Sequence, residues 1–318
     1  MLFTIYNPQE IIMDYISEMK ALHIRFDIIT EQKAAQIMQT EYSYYQLMEY
    51  SQLFEQYEKT SQKGMFIHLD FAQLYFLAVI DDSVRLLILN QFLDLERMLK
   101  LYLINFFNQD QALSLCPVKE YYEQDQAYII NVYTDSRNDT VHAKYPYLSL
   151  SEMSISQFLD IIQFGTLERF FTFCMNHYFS FPAEGKNTLK ECLLSVRHLR
   201  NASAHNNAIL SNLKNRITDD NNYYAASEVK NFLKSSGINQ KTLSTNMTRT
   251  VTRDFCNFFY LYNTFATHPS IKSTCVRWSV FFQNVYLQYG TYFSKNELLI
   301  SAFTFMQKVN TIYLDSIS

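Results

Sequence analysis

Apolar residues recur every three or four positions along most of the chain, and the polar breaks between these stretches mark out a series of helices. Asn7-Pro8 offers a cap and a first-turn proline. Ile11, Ile12, Tyr15, Ile16 and Met19 follow at helical spacing, so a first helix should run to about His23. Thr30 should cap a short helix, EQKAAQIMQ, and the tyrosine-rich EYSYYQLMEYSQLFEQYEK completes a small helical amino-terminal unit over residues 1–60. From Leu69 to Phe107 the pattern predicts one long or broken core helix, with Leu86, Leu89, Leu93, Met98 and Leu101 as apolar positions. Its informative polar residues are Asp94, Glu96, Arg97 and Lys100. They read either as solvated pairs along one face or, for Glu96, as a carboxylate that orients an arginine or histidine elsewhere. Residues 154–180 read as two helices joined near Gly165, and Pro182 to Lys186 as a loop. Beyond Arg216, three helical stretches are expected at about 224–236, 243–266 and 273–313.

Composition supports the same class. Five Gly and five Pro in 318 residues leave too few turn formers for a many-stranded β fold, so an all-α architecture is expected. We divide it into the unit over 1–60, a central domain over 61–215 and a carboxy-terminal helical region over 216–318. Five cysteines without a Cys-x-x-Cys pair argue against a disulfide framework and a thiolate metal site; no metal or cofactor is expected, and a reducing cytoplasm fits best. No apolar stretch approaches the length of a membrane span, and the first residues lack a basic region followed by an apolar run. Net charge is −4, which disfavours a general nucleic-acid surface, yet residues 216–318 carry 10 Lys and Arg against 6 Asp and Glu. Arg249, Arg253 and Arg277, interleaved there with Phe and Tyr, are the candidate RNA-binding residues; an ordinary amphipathic bundle would look the same.

The candidate chemistry lies in residues 186–212, KNTLKECLLSVRHLRNASAHNNAILSN, which hold Arg200, Asn201 and His205 in an Arg-Asn-x-x-x-His run. Asn187 or Thr188 with Glu191 reads as a capping box, so a helix should start there and run through the motif. On an ideal helix Leu189, Cys192, Val196, Leu199 and Ser203 share one face, and His198, Asn201 and His205 form a stripe opposite. Arg200 falls close to the apolar arc, where its guanidinium needs a carboxylate, Glu96 being the first candidate, or a local distortion of the helix. A second copy, Arg137-Asn138-x-x-x-His142, sits among turn formers and is read as loop or scaffold, and His177 as an ordinary helix-end residue.

With these residues laid out, the chain resembles the Abi family of bacterial abortive-infection proteins over about residues 9–215. The likeness rests on MKALHIRFDIITEQKAAQIMQTEYSYYQLMEYSQLF, FAQLYFLAVIDDSVRLLILNQFLDLERMLK, IIQFGTLERFF and, most specifically, LRNASAHNNAILSN. The resemblance implies a HEPN-like helical bundle and a metal-independent endoribonuclease acting through paired Arg-x4-6-His motifs in a homodimer, at times with a structured noncoding RNA. Where related proteins silenced by adenylylation carry Tyr two residues after the histidine, this chain has Asn207, so control of that kind is not expected.

Cleaving RNA without metal requires a base for the ribose 2′-hydroxyl, charge stabilisation on the phosphorane and an acid for the leaving 5′-oxygen. A histidine of ordinary pKa near 6.5 suits either proton step, arginine can grip the phosphate through two hydrogen bonds, and the Asn201 amide can donate or orient His205. One strong motif supplies one histidine, so a dimer is expected to bring two together, with His198 as a supporting alternative. RNA is the expected partner, with no DNA and no membrane. Two other readings stay open: a non-cleaving protein that binds a specific noncoding RNA, and a structural protein in which the polar stripe satisfies itself.

Overall fold

The computed structural model describes residues 8–59, 61–109, 116–124, 153–216 and 226–317. These residues form thirteen α-helices and two short 3-10 helices, with only isolated bridges between extended residues. The chain is all-α, as its turn-poor composition requires.

Three short helices lead: α1 (Pro8–Ala21), α2 (Glu31–Thr40) and α3 (Tyr44–Glu49). Thr30 caps α2 by accepting from the Lys33 N–H at 3.4 Å, and Ser43 and Gln46 close a capping box on α3. Tyr15 of α1 stacks on Tyr44 of α3 with ring centres 4.3 Å apart, so part of the tyrosine run becomes packing between elements.

The frame of the molecule is α4 (Phe71–Asn108), 38 residues and so about 57 Å long. Asp70 starts it, accepting from the Ala72 N–H at 2.9 Å while its own N–H reaches Gln73 Oε1 at 2.9 Å. The second Asp70 oxygen accepts from the Asp27 N–H at 2.9 Å, so one carboxylate closes the first turn of α4 and holds the loop after α1. The apolar stripe of α4 is narrower than its sequence suggests. Met98 is buried, but Leu86, Leu93 and Leu101 are 63%, 63% and 45% exposed, because that face of α4 has no covering helix among the described residues.

After α5 (Cys116–Gln124), the helices α6 (Ile155–Ile161) and α7 (Phe164–His177) are broken at Ile162, which is extended, and not at Gly165, which lies in the first turn of α7. The motif helix α8 (Ala183–Ala204) starts earlier than the expected cap at Asn187 or Thr188. Pro182, with φ −56° and ψ 150°, takes the cap position, its carbonyl accepts from the Lys186 N–H at 3.0 Å, and Thr188 is buried in the helix body. The five residues predicted to face inward, Leu189, Cys192, Val196, Leu199 and Ser203, are all buried.

The carboxy-terminal part holds α9 (Ser227–Ser235), α10 (Gln240–Met247), α11 (Thr250–Phe265), α12 (His268–Phe293) and α13 (Glu297–Asp315). Two expected helices are split. Thr248 and Arg249 separate α10 from α11, and Asn296 restarts the chain as α13, its side chain accepting from the Leu299 N–H at 3.1 Å. α8 packs on α11, α4 and α7; α12 pairs with α13 and lies against α4. Buried Gln91 of α4 accepts from the Trp278 indole at 3.0 Å, fixing α12 in register with α4. One continuous apolar core runs from Ile16 to Tyr313. Cys174, Cys192, Cys256 and Cys275 are free thiols inside it; burial holds their pKa above the ordinary range, so they pack as small apolar groups.

Candidate functional site

α8 does not run through the motif; it ends inside it. His205 is the residue that closes the helix, with φ −94° and ψ 9°, and Asn206 takes the left-handed conformation at φ 57°. The Asn207 N–H donates to the Ala202 carbonyl at 2.9 Å, the Asn206 N–H to Ser203 at 3.4 Å and the His205 N–H to Asn201 at 3.0 Å, the pattern of a Schellman closure. His205, Asn206 and Asn207 are therefore exposed at a helix end, where continuation of the helix would have carried them along its side.

The turn after His205 is held from below by a network on α4 that the sequence reading passed over. The buried Asp81 carboxylate accepts from four donors: the Ile209 N–H at 3.0 Å, the Leu210 N–H at 2.8 Å, the Tyr50 hydroxyl at 2.9 Å and the Arg85 guanidinium. Arg85, itself buried, also binds Asp82 and reaches the Asn207 carbonyl at 3.4 Å, while the Tyr42 hydroxyl donates to Asp82. Asp81 thus caps the 3-10 helix Leu210–Lys214 that follows the motif and ties it to α4. Burial lifts the Asp81 carboxyl to about 6, against the pull of the Leu210 N–H and Arg85. A trace was available: Asp81, Asp82 and Arg85 stand at helical spacing inside an otherwise apolar run, a pattern that costs energy unless the charges are partnered.

Above this network lies a cavity of about 280 Å³ lined by Tyr42, Gln46, Glu49, Arg85, His205 and Asn207, among others. It lies at the junction of the amino-terminal helices, α4 and the motif turn.

Arg200 is half-buried, as expected from its place near the apolar arc, but its partner is not Glu96. Its Nη1 donates to Asn201 Oδ1 at 3.0 Å and its guanidinium sits 5.5 Å from the centre of the Phe92 ring. Glu96 pairs instead with Lys100 one turn along α4 at 2.9 Å. The solvated-pair reading therefore holds for Glu96, and likewise for Arg97, which pairs with Asp94 at 3.1 Å. Because Arg200 meets Phe92 and Asn207 meets Arg85, α8 descends antiparallel to α4. This places the arginine about two helical turns along α4 from the pinned turn.

His198 is half-buried, and the charges that act on it sit on α8 and α11. Burial lowers its pKa, Asp254 opposes that, and Arg197 and Arg253 add to it. Asp254 belongs to a buried seam between α8 and α11, accepting from Ser195 Oγ at 2.8 Å and from Arg253 at 2.7 and 3.0 Å, while Asn257 donates to Ser195 at 3.0 Å.

That seam also corrects the expected RNA-binding set. Arg253 is buried and ion-paired with Asp254, because the polar side of α11 faces α8 and not solvent. Arg249 is half-buried beside Arg216, its pKa lowered by burial and by that neighbouring charge. Arg277 alone of the three is exposed, with Nη2 on Thr274 at 3.1 Å. Arg137 and His142 lie outside the described residues. His177 ends α7, its ring 4.5 Å from that of Phe173. Among the described residues no group of three or more His, Cys, Asp or Glu is placed to hold a metal ion, and no helix is long and apolar enough to cross a membrane.

The arrangement presents an exposed imidazole on a pinned turn, an amide and a guanidinium one turn back, and a polar hollow alongside. It can transfer a proton at His205 and bind an anion at Arg200 and Asn201. Compared with known proteins, the chain matches the family model described as Abi-like protein over residues 38–211, a span that takes in α3, α4, the pinned turn and the whole motif. No curated protein and no solved structure matches it. With more than half of its length inside that match, the chain belongs to the Abi-like protein family.

Proposed function

We propose that this chain is an effector of abortive-infection defence that cleaves RNA without a metal ion, with His205 moving the proton and Arg200 and Asn201 binding the scissile phosphate. Family membership supports the defence role. The observation that carries the chemistry is the seat of His205: exposed at a helix end, yet on a turn that Asp81 and Arg85 hold in place. A mobile imidazole would lose much of the advantage of alignment, and a buried one could not reach a polynucleotide. Asn201, already bonded to Arg200, keeps its amide donors for a phosphate oxygen or for orienting His205. The products are a 2′,3′-cyclic phosphate and a 5′-hydroxyl.

The test uses the full chain on end-labelled RNA in the presence of a chelator. Cleavage that continues, with 3′ ends resistant to phosphatase until the cyclic phosphate is opened, is the expected result. RNA that stays whole at every protein concentration rejects the nuclease. Retention of RNA without cleavage would replace it with a binding protein.

Two proton transfers call for two histidines, and one chain offers one in this setting, so the acting species is a twofold homodimer. An apolar face suited to a second copy exists: Leu86 of α4 and Val276 and Val280 of α12 are each 45% exposed or more, around a groove of about 500 Å³. Substituting Leu86→Glu together with Val280→Glu should turn a dimer into a monomer, read as a halved mass by light scattering. A mass unmoved by the two charges would remove this face from consideration.

A further inference from the structure

We propose that the cavity beside His205 is a subsite for one unpaired guanine of the RNA, read along its pairing edge by Glu49 and Gln46. The proposal rests on the ribonuclease reading and goes beyond it by naming the base.

Three features support the occupant. The first is size: at about 280 Å³ the hollow lies just under the roughly 300–1,000 Å³ of pockets that enclose a drug-sized ligand, which fits one base swung out of a strand and not a dinucleotide. The second is charge. Beneath the cavity two carboxylates, Asp81 and Asp82, share one guanidinium, Arg85, and Glu49 adds a carboxylate with no partner among the described residues. A phosphate is repelled there and belongs outside, toward Arg200. A group rich in N–H donors is attracted.

The third is the pattern of donors and acceptors. Gln46 and Glu49 stand one turn apart on α3, both lining the cavity. Gln46 spends its Oε1 on the Ser43 N–H at 3.0 Å and the Ser43 hydroxyl at 3.2 Å, leaving its Nε2 amino group as a donor. Together the pair offers one donor beside a two-oxygen acceptor. Guanine is the complement, with O6 accepting from Gln46 and N1–H and the 2-amino group donating to the two oxygens of Glu49. Uracil would turn its O2 against the carboxylate, and adenine and cytosine can each give that carboxylate only one amino group.

The experiment compares oligouridines carrying a single guanine, adenine, cytosine or inosine at one position, cut by the wild type and by Glu49→Gln. Glu49 is exposed, so the variant should melt with the wild type, and this is checked first. Cleavage next to guanine should exceed that next to the other bases by about tenfold to a hundredfold, inosine should lose most of the advantage for want of the 2-amino group, and Glu49→Gln should abolish it. Equal rates at all four bases, or a preference that survives Glu49→Gln, overturns the subsite while leaving the nuclease standing. A calorimetric titration of guanosine and inosine into the wild type and into Glu49→Gln separates the two ideas. Selective, Glu49-dependent guanosine binding by a wild type that cuts no RNA keeps the subsite and fails the nuclease. Guanosine triphosphate binding more tightly than a guanine-bearing oligonucleotide would assign the hollow to a free nucleotide and overturn its assignment to RNA.

Discussion

Asp81→Ala should destabilise the protein by about 3–5 kcal/mol, among the largest effects of any single polar substitution in this chain. Asp81 is fully buried, and its removal strands the N–H groups of Ile209 and Leu210 and takes a partner from the Tyr50 hydroxyl and from Arg85, which line the neighbouring cavity. Denaturant unfolding measures the loss. A change below about 1 kcal/mol would show that water or Asp82 takes over the role. Asp81→Asn keeps the shape and isolates the charge. The folded-state carboxyl is raised to about 6 from its ordinary 3.8, so the stability it contributes is fully present below pH 3.8 and is lost as pH rises through 6. The wild type should therefore gain on Asp81→Asn as pH falls from 7 toward 5, by no more than about 1.4 kcal/mol per pH unit. A gap that stays flat or narrows over that interval would mean the carboxyl is not raised.

His205→Ala should lower the rate of RNA cleavage by about 10²–10⁴-fold, the usual contribution of a general acid or base, with RNA affinity kept within a few fold. The side chain is exposed at a helix end, so folding should shift by less than about 0.5 kcal/mol. Arg200→Ala should also slow cleavage, by about 10²–10³-fold, but with some loss of stability, since the guanidinium packs over Phe92. The contrast between a clean kinetic defect and a mixed one separates the proton carrier from the anion grip. Wild-type cleavage by His205→Ala would end the assignment, whatever the fold.

Much of this is legible in the sequence, and the misses around the site share a cause. The extent of α4, the Thr30 cap and the buried face of α8 are local patterns, decided by spacing within one element, and they came out as read. The location of the motif was legible for the same reason. Element boundaries shifted, at Pro182, at Ile162 and between Thr248 and Arg249, while the failures around the site depended on a distant partner. Glu96 and Arg200 are both half-exposed residues of facing helices, and nothing in the chain order says that Lys100 lies closer to one and Phe92 to the other. Arg253 reads as a surface cation until α11 is seen to turn that side toward Ser195 and His198 of α8. Leu86 and Leu93 read as core because helical spacing identifies a stripe but not whether a neighbour covers it. Asp81, Asp82 and Arg85 were the reverse case: charged residues in an apolar run that demanded partners and could have been singled out on that ground alone.

The left-handed turn at Asn206 limits how this site can change. An L residue with a branched β-carbon resists that backbone region by about 1 kcal/mol or more, whereas glycine enters it freely and asparagine or aspartate tolerates it. A valine or isoleucine there would favour one more coil of α8, rotating the imidazole about 100° round the axis for each residue wound in and drawing it away from the hollow. Drift beside the histidine is thus confined to a few small, amide or carboxylate side chains, by the backbone dihedral that Asn206 must hold.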